Sequence, residues 1–192
     1  MHVDRIDTSQ LPDGLRGTRR TLALMAACVR KDAGNLALRQ RALSIVQACG
    51  GHDFSCEIRA LFHYCRDAIT YRRDPVDVEW VQDAARTIDV FGSGDCDDKC
   101  VCLATLLATL GHRSRFVCIG PHPDQFLHVY LEVHTKRGWI PLDPTPEQAP
   151  VGWEARGRGQ YRAVYEIWPT SDNSALTFLA VGILAFWLLK RG

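Results

Sequence analysis

A chain of 192 residues is long enough for one domain with a sizeable core and short for two. Its 23 Lys and Arg offset 22 Asp and Glu, leaving a net charge of +1. That near balance supplies no field to hold an acidic polymer, so no nucleic-acid partner is expected.

The opening MHVDRIDTSQLPDG has neither an apolar h-region nor a cleavage site, so no signal peptide is read. The eight cysteines are then expected to stay reduced, most of them as small buried hydrophobes. The question becomes which of them is chemically different. Residues 1–17 are polar and broken by Pro12, Gly14 and Gly17, which predicts a flexible arm. A single domain over 18–165 follows. Helical spacing recurs in three segments: Leu22, Met25 and Val29; then Leu36, Leu43 and Val46; then Ile58, Leu61, Phe62, Cys65 and Ile69. Gly34 and the pair Gly50 and Gly51 separate them. Before Pro75 the chain must turn extended, and a crossing loop begins.

Phe91 to Asp95 reads as a loop that enters a fourth helix at Cys96, with Cys100, Leu103, Ala104, Leu107 and Leu110 on one face and Gly111 as its stop. Arg115 to Ile119, Phe126 to Val133 and Trp139 to Leu142 read as strands, the last two joined by a Thr135-Lys-Arg-Gly138 turn. Pro141 marks the last as an edge strand. The fold class is α+β, helices first and then a helix packed on an antiparallel sheet.

Three residues in this frame can do chemistry together. Cys96 starts a helix, where unpaired N–H groups and the macrodipole favour a thiolate. An even hairpin loop puts His128 and Asp143 on one sheet face, opposite or diagonal, as a base and its orienting carboxylate. Singly, each has a plain structural reading: a packed thiol, a satisfied strand histidine, the Asp of an Asp-Pro turn.

The runs GSGDCDDKCVCLATLLATLGHRSRFV at 92–117, FLHVYLEV at 126–133 and GWIPLDPT at 138–145 resemble the core of the transglutaminase-like enzymes, a branch of the papain-like cysteine enzymes. The resemblance covers about 55–165. It implies Cys96 as nucleophile, His128 as general base and acid, and Asp143 as the group that holds the imidazole tautomer. The Cys96 N–H would be one oxyanion donor, with Gln82 or Trp80 as candidates for the second. A protein or peptide substrate and no cofactor are implied, for a small stand-alone form of bacterial or bacteriophage type. The alternative is a structural or assembly protein, for example of a virion, that keeps the fold with little turnover.

Two sets of metal-type residues are set aside. Cys96, Cys100 and Cys102 with His122, His128 and His134, and Cys49 with His52 and Cys56, lack the paired knuckles of structural zinc, so no metal is expected. Asp97 and Asp98 also resemble cation ligands, but in the first turn of a helix they are assigned to the commoner use, the helix dipole. Beyond a linker at 166–174, residues 175–192 are predicted to form a hydrophobic helix. Its uncharged stretch 175–189 would anchor the protein to a membrane or a large assembly.

Overall fold

The computed structural model describes residues 4–7, 14–51, 53–75, 78–155, 160–168 and 177–179. Within the expected arm, Asp4–Asp7 forms a strand, β1, and the first helix begins at Leu15. Helix α1 (Leu15–Asp32) buries Leu22, Met25, Ala26 and Val29 at helical spacing. Asn35 caps α2 (Leu36–Ile45), its side chain accepting from the N–H groups of Ala37 and Leu38 at 2.9 and 3.3 Å. The buried face of α2 is Leu38 and Ala42, whereas Leu36 and Leu43 are exposed. Of the predicted stripe Val46, at the C-cap, is buried and the other two are not, because a ten-residue helix with few apolar positions is oriented by what it packs on rather than by its own pattern. Asp53 caps α3 (Phe54–Asp67), which buries Ile58, Leu61, Phe62 and Cys65 as expected from their spacing.

Short pieces follow: β2 (Thr70–Tyr71), β3 (Val78–Val81), the single turn α4 (Ala84–Arg86) and β4 (Ser93–Gly94). β1 pairs antiparallel with β3, and β2 pairs parallel with β4. Helix α5 (Cys96–Thr109) then runs through the centre. It was expected to bury one face; instead its residues from Asp97 to Leu107 are all buried, since α1, α2 and α3 cover one side and the sheet covers the other. Its Lys99 is 2% exposed and donates to the carbonyls of Arg66 and Ile69 at 3.1 and 2.7 Å. The buried ammonium thereby satisfies acceptors left open at the end of α3.

The sheet comprises β5 (Ser114–Gly120), β6 (His128–Thr135), β7 (Gly138–Leu142), β8 (Tyr161–Glu166) and β9 (Thr177–Leu179), in the order β7-β6-β5-β8-β9 and antiparallel throughout. β7 is the edge strand that Pro141 signals. Phe116, Cys118, Val129, Leu131, Val133 and Leu142 join the helical core, and each of the Phe, Val and Leu side chains contributes about 1.5–3 kcal/mol by leaving water. Val117, Ile119, Tyr130 and Val164 form a second, smaller cluster.

Three expectations are corrected. Tyr161–Glu166 pairs with β5, and Ile167 beyond it is fully buried, so the domain does not close at 165. The predicted tail helix fails where it can be seen: Thr177–Leu179 is a strand paired with Arg162 to Val164. No helix among the described residues is long and apolar enough to cross a membrane. The rest of 175–192 lies outside the described residues. Finally, the thiols are not all free, because Cys49 and Cys56 form a disulfide across the α2–α3 corner with their Cα atoms 5.7 Å apart.

Candidate active site

The first turn of α5 opens on a cleft of about 640 Å³. Cys96, His128 and Val129 line it, with Leu22 and Met25 of α1, Phe126 and Leu127, and an acidic side formed by Asp74, Glu79, Asp95 and Asp97. Of the six free cysteines, Cys28, Cys65, Cys100, Cys102 and Cys118 are buried, and Cys96 alone is not.

His128 stands at the start of β6 and Asp143 one residue past β7. Leu131 pairs with Leu142, so continuing the register sets Asp143 across from Tyr130, diagonal to His128 and on its face of the ribbon. Nε2 of His128 lies 2.7 Å from Oδ2 of Asp143, whose side chain is 0% exposed against 23% for the histidine. The carboxylate can only accept, so Nε2 carries the proton and Nδ1 keeps a lone pair. The other oxygen of Asp143 accepts from the Thr145 N–H at 3.0 Å, which leaves the carboxylate no freedom to turn away.

Asp95 is the N-cap of α5 and accepts from the Asp97 N–H at 3.2 Å. Cys96 is therefore the first helical residue, with a backbone N–H that has no partner within the helix. Burial opposes the pull of that helix start. Burial is the largest influence, the Asp95 carboxylate the next, and together they outweigh a hydrogen bond from the Val129 backbone, pushing Cys96 up to about 12. These influences oppose the helix dipole, whose pull is worth about 1 kcal/mol. Asp95 itself is pushed up to about 7 by burial and by Asp74 and Glu79.

Neither residue proposed as second oxyanion donor lines the cleft. Gln82 is 5% exposed; its backbone N–H donates to Asp98 Oδ1 at 2.7 Å and its side-chain amide donates to Asp98 Oδ2. The N–H of Trp80 donates to Asp74. Asp98, read as a dipole acid, is instead the clamp that ties the Gln82 segment to α5. It packs so closely under Gly94 that a Cβ there would sit 2.4 Å from its own. Of the two sets with zinc-type residues, the first has Cys100 and Cys102 sealed in the core and the second has become the disulfide. Sequence reasoning also singled out only Asp97 among the four acids of the cleft. The Asp95 N-cap was legible beside the helix start, but Asp74 and Glu79 come from separate segments and carry no local signal.

The family model of the transglutaminase-like superfamily matches residues 41–144. No curated protein matches. Among solved structures, a candidate protease from Parabacteroides distasonis superposes with a TM-score of 0.55 at 11% identity, over 90% of this chain and 35% of that one. The chain thus spans about a third of that protein, and at this identity the likeness is one of fold. Looser matches are a candidate cysteine protease from Cytophaga hutchinsonii (TM-score 0.46, 15% identity, 92% of this chain and 70% of that one) and the periplasmic domain of TgpA from Pseudomonas aeruginosa bound to ethylmercury (0.43, 18%, 62% and 48%).

Proposed function

The chain belongs to the transglutaminase-like superfamily, and from that premise we propose that it is a thiol-dependent acyl-transfer enzyme acting on an amide of a protein or peptide. The observation that carries this reading is the 2.7 Å contact of His128 with the fully buried Asp143, in the cleft that holds the least buried free thiol. Such a pair has little structural purpose. A buried carboxylate tied to a half-open imidazole holds one tautomer, with the basic nitrogen free to take a proton.

In this reading, ionisation of the Cys96 thiol, which burial raises to about 12, accompanies attack. Nδ1 of His128 takes the Cys96 proton as sulfur bonds to the amide carbon, and Asp143 stabilises the imidazolium that forms. The oxyanion accepts from the Cys96 N–H at the helix start. His128 then gives the proton to the departing amine as the C–N bond breaks, leaving a thioester. Water or an amine attacks this in turn, loses its proton to His128, and the proton returns to the released thiolate. Gln82 is assigned to holding Asp98 rather than to the oxyanion.

A thiol-directed acyl probe followed by mass mapping tests the assignment. Labelling is expected at Cys96 and should be lost in His128→Ala. First labelling at Cys100 or Cys118, or labelling of Cys96 that ignores His128, would overturn it.

A further inference from the structure

The alternation of β6 places His128, Tyr130 and Glu132 on one face, and Val129, Leu131 and Val133 on the other, which packs into the helical core. Tyr130 is fully buried and does not line the cleft. Its ring lies stacked against the His128 imidazole, with the centroids 6.3 Å apart and the planes 27° from parallel. At its far end the phenol donates to Glu154; Arg162 lies 3.6 Å from that carboxylate and donates to Glu132. Val117, Ile119 and Val164 form one buried cluster with the ring. Tyr130 is thus held twice, by apolar packing along its ring and by a hydrogen bond at its hydroxyl.

The contact of Nε2 with Asp143 fixes the tautomer of His128 and the position of the ring tip. It restrains the plane of the ring less, because χ2 of histidine is a broad sp³–sp² torsion and Nε2 lies nearer its axis than Nδ1 does. A turn of χ2 therefore moves the basic nitrogen further than the one that Asp143 holds. We propose that Tyr130 is the positioning residue for this base: its anchored ring sets the plane of the imidazole and so aims Nδ1 at the Cys96 thiol, a role that rests on the acyl-transfer reading. Asp143 decides which nitrogen is basic. Tyr130 decides where that nitrogen points. The plain alternative is a tyrosine that only fills its cluster, and any side chain of similar volume would then serve.

The test compares Tyr130→Phe, which keeps the plane, with Tyr130→Met, which fills the space without one. The full chain is used, and acylation of Cys96 is followed over a range of concentrations of the thiol-directed acyl probe. Tyr130→Phe should stay within a few-fold of the wild type. Tyr130→Met should lower the maximal rate by roughly 10²-fold, the cost of a misplacement on the order of 1 Å, with the half-saturating concentration unchanged. Nitrogen NMR should find the imidazole proton on Nε2 in all three proteins, with the ring motionally averaged only in Tyr130→Met. Val164→Ala, in the same cluster but two strands away on β8, should leave the rate within a few-fold. A Tyr130→Met protein that reacts like the wild type would overturn the assignment, as would a rate loss shared by Val164→Ala. Should Tyr130→Met not fold, Glu154→Ala decides: loss of the hydroxyl anchor should slow the reaction several-fold and loosen the imidazole, and an unchanged rate and ring would overturn the role. A wild type with an ordered imidazole whose Cys96 never takes the probe would overturn the acyl-transfer reading itself, and this role with it.

Discussion

Cys96 and Cys100 stand one turn apart on α5 and differ in almost everything but their tendency to stay protonated. Burial raises both thiols, Cys96 to about 12 and Cys100 well above the usual range. Cys100 is 0% exposed, with Sγ 3.5 Å from the Val129 carbonyl, whereas Cys96 opens on the cleft beside His128. Resting acidity therefore does not distinguish the reactive thiol from the structural one. Access, and a base able to take the proton during attack, do.

The sharpest way to break the comparison is to exchange the roles. Cys96→Ala should abolish turnover, a loss of about 10⁶-fold when a nucleophile is removed. Cys100→Ala should change the rate only a few-fold and lower stability by roughly 1 kcal/mol, as small deletions in a core do. Steady-state kinetics and denaturant melts separate the two, and a Cys100 variant that loses its rate while folding normally would refute the contrast.

Removing the orienter is the next largest effect. Asp143→Asn should keep the contact to Thr145 and the fold but lower the rate by roughly 10⁴-fold, because an amide can present its N–H to Nε2 and leave the basic nitrogen facing the wrong way. A variant that melts early yet keeps its specific activity would make Asp143 a turn residue only.

The silence of Cys100 depends on a closed core, which includes Ile167. Ile167 is fully buried and its carbonyl accepts from Arg30 at 2.8 Å. Truncation after Tyr165 should therefore cost about 3 kcal/mol or more and open Cys100 to alkylation. Truncation after Trp168 keeps that closure and should leave Cys96 the reactive thiol. Mass-mapped alkylation of the two truncated chains reads the difference.

The smallest effect is in pH. Asp98, beneath the first turn, is raised from 3.8 to about 8, mainly by burial. A carboxyl raised on folding holds its proton in the native state after the unfolded chain has lost it. Its contribution is complete below about pH 4 and declines as pH rises through about 8. The protein should lose on the order of 5 °C in melting temperature across that window, and Asp98→Asn should flatten the slope, leaving the share that Asp95, raised to about 7, contributes. An unchanged slope in the variant would place the titration elsewhere.

Much of this was legible along the chain. The stripes of α1 and α3, the start of α5 at Cys96 and the two-residue turn that sets Asp143 diagonal to His128 follow from spacing, because helix faces and hairpin parity are local geometry. The weakly patterned α2 misled, since its face is chosen by neighbours. The segment at 161–166 was passed over because it stands after a run rich in Gly and Arg, although its partner β5 makes it an inner strand of the sheet.

The sequence by itself determined the family, the layering of helices before an antiparallel sheet, and the order of Cys96, His128 and Asp143 along the chain. The tertiary structure decided that Asp98 clamps Gln82, that Asp97 is buried with no hydrogen-bond partner among the described residues, that Cys49 meets Cys56, and that burial raises the Cys96 thiol. The physical reason is range. Periodicity and parity act within a few residues, whereas burial and charge depend on which distant segments close over a side chain, and only the folded chain brings those together.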